Sequence, residues 1–346
     1  MSTPILEARG LTRVFRVGGF LNRHDLHAVD DASFAIGGSE ILALVGESGS
    51  GKSTIARLLA QVYTPSAGEI LFEGTPLTKL RSRADQMRYR AAVPMVFQDP
   101  FSSLNQSYPV SHGIERGLKL HRSDLDAEGR RSEAERVMEA VGMRPASEAL
   151  RKYPYELSGG QRQRVGFAQA LAYKPKVILA DEPVSMLDIS VRIGLLNLMA
   201  KLRDEDHVSL LYITHDIASA RYIADRMMVM YAGHVVESGP VDEVLQSPQH
   251  PYTQLLVAAV PDPRAMPTMT AEQAAGEPPK VIDPKPGCRF ADRCPLAKEV
   301  CRTTTPPLLE LQPRHEVACH VAADRVGRGA ESEELGRAAD LVGSAA

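Results

Sequence analysis

The run Gly46-Glu47-Ser48-Gly49-Ser50-Gly51-Lys52-Ser53-Thr54 could grip a phosphate group. It fits the P-loop pattern G-x-x-x-x-G-K-[ST]. Its glycines permit backbone turns that point N–H groups inward around phosphate oxygens. A helix beginning near Ser53 would add the partial positive charge of its N-terminus. In such a loop the lysine, here Lys52, reaches the β- and γ-phosphates, and the Ser53 hydroxyl ligates Mg²⁺. The loop implies a nucleoside triphosphate without choosing between kinase, GTPase and ATPase. Further along, Asp181-Glu182 closes the apolar run Val177-Ile178-Leu179-Ala180. Such a pair is either a solvated turn or a metal ligand beside a general base. His215 follows another apolar run in Ile213-Thr214-His215-Asp216. The only cysteines are Cys288, Cys294, Cys301 and Cys319, spaced C-x5-C-x6-C-x17-C.

The elements that must position these groups are an alternation of strands and helices. The runs at 41–45, 177–180 and 210–213 read as buried strands of a mostly parallel sheet. A helical pattern follows each, as βαβ units require. Strand signals thin out between about 80 and 170, where stretches such as 133–141 look helical, so a helical insertion is expected there. Residues 1–258 then form one α/β domain. Residues 259–287, rich in Pro, Ala and Thr, read as a linker. Residues 288–321 form a small Cys-rich, metal-binding extension, and 322–346 are expected to be a disordered tail. The 346 residues are 44% hydrophobic and 24% charged, as in ordinary globular proteins. A net charge of -3 gives no reason to expect a nucleic-acid partner. No apolar run is long enough to span a bilayer. The stretch Met1-Ser2-Thr3-Pro4 lacks the basic-then-apolar pattern of a signal peptide, so a cytosolic location is expected.

Leu157-Ser158-Gly159-Gly160-Gln161 chooses the class. Ser158 can cap the helix that follows, and a helix start with two glycines can present N–H and hydroxyl groups to a phosphate. The string matches the signature motif of ABC ATPases, and with the P-loop before it and the acidic strand end after it the chain resembles that family. The resemblance implies an α/β P-loop NTPase fold carrying a helical insertion subdomain. It also implies that Leu157 to Gln161 meet the γ-phosphate bound by the opposite subunit, so that one chain cannot complete a site alone. Asp181 becomes the Walker B aspartate that holds Mg²⁺, and Glu182 the general base that polarises the attacking water. His215 resembles the switch histidine. Gln98, in Val96-Phe97-Gln98-Asp99-Pro100, resembles the Q-loop glutamine that joins Ser53 and Asp181 around Mg²⁺. Asp188, in Ser185-Met186-Leu187-Asp188, resembles the D-loop aspartate, with Met186 where the family commonly has Ala. Phe15 would stack on adenine in place of the usual Tyr.

A closer resemblance, over residues 5–320, is to the ATP-binding subunits of oligopeptide/dipeptide permeases, in their F-type form. It is carried by Ala28-Val29-Asp30-Asp31, by residues 97–105 from Phe97 to Asn105, by Tyr153-Pro154-Tyr155-Glu156, by Ser247-Pro248-Gln249-His250-Pro251-Tyr252-Thr253 and by the cysteine cluster. Gln106 stands where the family usually has Pro. The resemblance implies an ATPase on the cytoplasmic side of the membrane, peripheral to it. Its partners are a second, homologous ATPase subunit in a heterodimer, two transmembrane permease subunits and an extracytoplasmic solute-binding protein. Peptides are the commonest substrates of this class, while relatives move nickel or oligosaccharides, and Met186 with the stretch Asp188 to Gly194 resembles the sugar-importing branch. A non-transport regulator or an exporter ATPase are the rival readings, the first disfavoured by Glu182 and His215. The resemblance further implies a [4Fe-4S] cluster on the four cysteines. Their wide spacing lacks the tight knuckles of zinc sites, which leaves Zn²⁺ and metal-free thiols as alternatives. Arg289 and Arg293 could offset a negative cluster or be solvated; His315 and His320 are possible ligands or structural.

Overall fold

The computed structural model describes residues 3–19, 22–99, 104–259 and 281–325. Of the sequence features above, most of the linker, the tail beyond 325 and the residues 100–103 of the Q-loop run lie outside it.

The main sheet takes its strands from the apolar runs. In chain order these are β3 (Ile41–Val45), β6 (Met95–Val96), β7 (Val177–Asp181), β8 (Ser209–Thr214), β9 (Arg226–Tyr231) and β10 (His234–Pro240), followed by β11 (Leu309–Gln312) and β12 (His315–Val317). They lie in the order β11-β12-β10-β9-β3-β8-β7-β6. From β9 to β6 all pairings are parallel. Every residue of β3, β7 and β8 is buried, as expected where both faces of a parallel sheet are covered. Alternate residues face opposite cores: Ile41, Ala43 and Val45 pack on one side, Leu42 and Leu44 on the other.

Register decides where the chemistry can be. Val45 is paired with Thr214, Asp181 with Ile213 and Val96 with Ala180. The carboxyl ends of β3, β6, β7 and β8 are thus in line, and Gly46, Phe97, Glu182 and His215 leave the sheet at one edge, where open α/β sheets bind ligands.

A second, antiparallel sheet of order β2-β1-β4-β5 covers one face. It is built from β1 (Leu6–Gly19), β2 (Asn22–Ile36), β4 (Ala67–Phe72) and β5 (Thr75–Pro76). On the other face the helices Val110–His121, Ala127–Ala140, Ala146–Arg151 and Gly159–Ala172 form the helical block between β6 and β7. The helix Arg83–Ala92, which the sequence pattern grouped with them, buries Tyr89 and Ala92 in the core beneath the antiparallel sheet instead. Amphipathic periodicity marks a buried face without saying which layer buries it.

The cysteine-bearing segment does not stand apart from the main sheet. Its hairpin β11–β12 extends the main sheet through β10, with Glu237 opposite Val317 and Ser238 opposite Glu316. Fully buried Glu237 accepts a 2.7 Å bond from His315 Nε2, so His315 pins this hairpin. The described end of the expected linker is also docked: His27 N–H donates to Val281 O at 2.9 Å and Asp283 N–H to Asp25 O at 2.9 Å.

Candidate active site

The P-loop turns from β3 into the helix Lys52–Leu59. Two glycines are required by its shape. Gly46 has φ 154°, and a Cβ there would lie 2.1 Å from Met230 O. Gly51, at the helix start, has φ 106°, and a Cβ would lie 2.2 Å from Ala28 O. Lys52 is 4% exposed and its Nζ donates to Gly46 O and Glu47 O, both at 2.8 Å. Burial pushes the Lys52 pKa down, while Glu182, Asp181 and Glu47 oppose the shift. The lysine is held by the curl of the loop itself.

The strand ends bring the remaining groups together. Ser53 Oγ donates to Asp181 Oδ1 at 2.8 Å. Burial raises the Asp181 pKa, an effect partly offset by the Ser53 hydrogen bond. Two oxygens held side by side at a buried strand end are a ready pair of hard ligands for Mg²⁺. Glu182 adopts φ 45°, a left-handed conformation unusual for a side-chain-bearing residue and frequent at functional sites. Its Oε2 accepts from Gln98 Nε2 at 3.2 Å and lies 3.3 Å from His215 Nδ1. His215 is set between β8 and the helix Ile217–Ile223, which Asp216 caps by accepting from Ala218 N–H at 3.0 Å and Ser219 N–H at 3.3 Å. Gln98, Glu182 and His215 therefore converge from three separate segments, a grouping able to orient and deprotonate a water.

These groups line one cleft of about 630 Å³ with Ser48, Gly49, Lys52, Ser53, Thr54 and Phe15. Phe15 stands in β1, with the Arg13 guanidinium 4.5 Å from its ring centroid and Tyr63 edge-on at 5.3 Å. Ser50 is buried behind the loop. None of Leu157 to Gln161 lines this cleft. Ser158 caps the helix Gly159–Ala172 on an exposed surface: its Oγ accepts from Gln161 N–H at 3.3 Å, and Gln161 Oε1 accepts from Ser158 N–H at 3.0 Å. That helix touches the Q-loop through Gln163 Nε2, which donates to Phe97 O at 3.2 Å. Asp188 is exposed at the start of the helix Ile189–Asp204.

Residues 29–185 match the model of the ABC transporter family, and residues 236–301 match that of the oligopeptide/dipeptide transporter C-terminal region. The chain is 42% identical over 326 residues to the probable peptide ABC transporter ATP-binding protein y4tS of Sinorhizobium fredii, covering 93% of this chain and 91% of that protein. The chain belongs to the ATP-binding proteins of the oligopeptide/dipeptide ABC transporters. It is also 40% identical over 322 residues to the oligopeptide transport ATP-binding protein AppF of Bacillus subtilis, covering 92% of this chain and 97% of that one. Among solved structures, this ABC ATPase matches the dimeric post-hydrolysis state of the ATP-binding cassette MJ0796 bound to ADP and Pi, with TM-score 0.61 and 26% identity over 68% of this chain and 98% of that one. It matches cbiO1 of Clostridium perfringens with TM-score 0.60 and 27% identity, over 71% of this chain and 92% of that one. The chain is thus a transport ATPase that uses ATP and Mg²⁺.

The cysteines of this ABC ATPase are all free thiols. Burial pushes Cys288 up to about 11, and the charges of Cys319, Cys301 and Cys294 add to the rise. Among the described residues no group of three or more His, Cys, Asp or Glu side chains is arranged to hold a metal ion. His315 faces Glu237, and His320 Nε2 pairs with Thr304 O at 3.0 Å. Arg289 and Arg293, which the sequence left between a cluster and solvent, face the ATPase core instead. Arg289 bonds Asp30 Oδ2 and Ala232 O, each at 2.5 Å, and Arg293 bonds the carboxylate of Glu47. Nothing local in the sequence pointed to these contacts, which join residues 246 or more positions apart for both carboxylates. Leu26 and Ala28, which line the cleft from β2, also escaped notice, because they carry no polar atom beyond the backbone.

Proposed function

We propose that this ABC ATPase hydrolyses ATP to drive binding-protein-dependent import of oligopeptides or dipeptides. The observation that carries the reading is the convergence of Gln98, Glu182 and His215 on the cleft that also holds Lys52 and Ser53. In this reading Gly46 to Thr54 cradle the triphosphate and Phe15 offers the ring face away from Arg13 to adenine. Ser53, Asp181 and Gln98 hold Mg²⁺, which shields the phosphate charge. Glu182 takes a proton from the attacking water, and His215 orients it against the γ-phosphate. Catalysis is then positioning plus electrostatic stabilisation.

The signature residues act on the nucleotide of a second, homologous ATPase, with Asp188 crossing between the two. The position of Ser158 outside the cleft supports this, as do the exposed Met186 and Ile189, which leave an apolar surface beside the D-loop. No helix among the described residues is long and apolar enough to cross a membrane. Two permease subunits supply the membrane path, a solute-binding protein supplies the cargo, and the ATPase is peripheral on the cytoplasmic side. The peptide assignment follows the relatives, named for peptide and oligopeptide transport.

Cys288, Cys294, Cys301 and Cys319 are proposed as the ligands of a [4Fe-4S] cluster, with Zn²⁺ as the alternative. Four free thiols that influence one another support it; the lack of a preformed metal group weighs against it, and no catalytic step is assigned to it. Iron and sulfide assays on anaerobically purified protein decide it, and their absence would remove the cluster.

The transport reading is tested by co-purifying the chain with its permease pair and following uptake of labelled peptides into proteoliposomes. Glu182→Gln is expected to keep ATP binding and lower hydrolysis by at least about a hundredfold, abolishing uptake. Undiminished hydrolysis overturns the base assignment. Uptake of a sugar or nickel in place of peptide overturns the substrate alone.

A further inference from the structure

The second residue of the P-loop is an acid, in a loop built to receive a polyanion. Glu47 is gripped at every polar group it has. Its N–H donates to Tyr252 Oη at 2.9 Å, and its carbonyl accepts from Lys52 Nζ at 2.8 Å. Its carboxylate accepts from both terminal nitrogens of Arg293, Nη1 to Oε2 at 3.0 Å and Nη2 to Oε1 at 3.1 Å. This is the two-pronged guanidinium–carboxylate geometry that fixes direction as well as charge.

The two outside holders come from the C-terminal part of the chain. Tyr252 lies in the helix Pro251–Ala258, and Arg293 in the turn between Cys288 and Cys294. They are braced together. Phe290, 1% exposed, packs against Tyr231 at 5.2 Å and Tyr252 at 5.5 Å, and the Arg293 guanidinium lies 5.6 Å from the Tyr231 ring centroid and 5.7 Å from that of Phe290. The Arg293 side chain is 17% exposed and that of Glu47 24%, so solvent screens the pair only in part.

We propose that Arg293 is a positioning residue for ATP: it neutralises Glu47 and fixes the first turn of the phosphate loop, making the cysteine-bearing segment a working part of the nucleotide site. The proposal rests on the reading of residues 46–54 as the triphosphate cradle. An unpaired carboxylate on the loop would repel the incoming phosphates and could swing toward Lys52, competing for its charge. Paired with a guanidinium that stays protonated at all physiological pH, it does neither.

The experiment measures ATPase kinetics of the assembled transporter and binding of a fluorescent ATP analogue by the full-length chain. Arg293→Ala is expected to raise the KM for ATP and the analogue Kd about tenfold while kcat stays within about twofold. Arg293→Lys keeps the charge but loses the fork, and should fall between wild type and Arg293→Ala. The deciding variant is the double Arg293→Ala/Glu47→Gln, which removes the uncompensated charge and should recover most of the lost affinity. A merely structural Arg293 predicts a double variant no better than the single one, and that result overturns the proposal. So does an unchanged KM in Arg293→Ala. If Arg293→Ala does not fold, the comparison of Arg293→Lys with Arg293→Lys/Glu47→Gln decides the matter in the same way. Wild-type protein that binds no ATP would instead overturn the reading of the loop on which the proposal stands.

Discussion

Two helix N-termini that the proposed function assigns to phosphate are built in opposite ways. The helix Lys52–Leu59 starts at Gly51, which makes no side-chain cap and leaves the first turn open to the cleft. Lys52 is buried there, its Nζ held by Gly46 O and Glu47 O. The helix Gly159–Ala172 starts at Ser158, which exchanges reciprocal bonds with Gln161, and residues 157–161 do not line the cleft. An open, buried start can hold an anion for its own chain. A capped, exposed start is stable without a ligand, and any anion must be brought to it from outside. On the proposed function, the difference separates a site that binds from a site that completes another.

The sharpest way to break this comparison is Gly51→Ala. It forces a side chain into a φ of 106° and against Ala28 O. The variant is expected to lose measurable ATP binding in a fluorescence titration, and wild-type affinity in it would show that the loop's shape is not what holds the nucleotide. Ser158→Ala should do the reverse. Hydrolysis by the assembled complex is expected to fall by about a hundredfold, since a donor to the reacting phosphate is lost. The ATP affinity of the isolated chain should stay within about twofold, with a stability loss of about 1 kcal/mol from the missing cap. An isolated chain that loses ATP binding in this variant would place both helix starts in one site.

The smallest effect concerns pH and touches only the open site. Tyr252, which holds the P-loop, sits on a helix capped by His250, whose Nδ1 accepts from Tyr252 N–H at 3.0 Å. Burial lowers the His250 pKa from 6.5 to about 4, opposed by the neighbouring Glu237. The folded state keeps the ring neutral while the unfolded chain protonates it. The stability this residue contributes is therefore complete above pH 6.5 and is lost as pH falls from 6.5 toward 4. At pH 5 the loss is roughly 2 kcal/mol. Thermal melts of wild type should drop more between pH 7.5 and 5 than those of His250→Asn, which can still cap. Parallel slopes would remove His250 as the cause.

Much of the candidate site was legible because the spacing of its residues is local. The glycines, Lys52 and Ser53 occupy adjacent positions, and the apolar runs before Gly46, Asp181 and His215 announce strands whose ends carry them. The ABC class was legible in five residues from Leu157 to Gln161. The helical block was legible in outline, but the helix Arg83–Ala92 was assigned to it because an amphipathic pattern does not name its partner layer. The C-terminal segment was the least legible. Its cysteines drew attention to a metal, while its arginines turned out to grip Asp30 and Glu47.

The sequence by itself determined which groups could do chemistry, which runs would form strands and to which family the machinery belongs. These follow from side-chain type and short spacing, which act within a few residues of the chain. Only the tertiary structure decided that β3, β6, β7 and β8 end in line, that Gln98 and His215 meet on Glu182, and that Arg293 closes on the P-loop. Those outcomes depend on strand register and on the packing of Phe290 against Tyr231 and Tyr252. Register and packing are properties of the folded core as a whole, because each pairing is selected by how all the buried faces fit together.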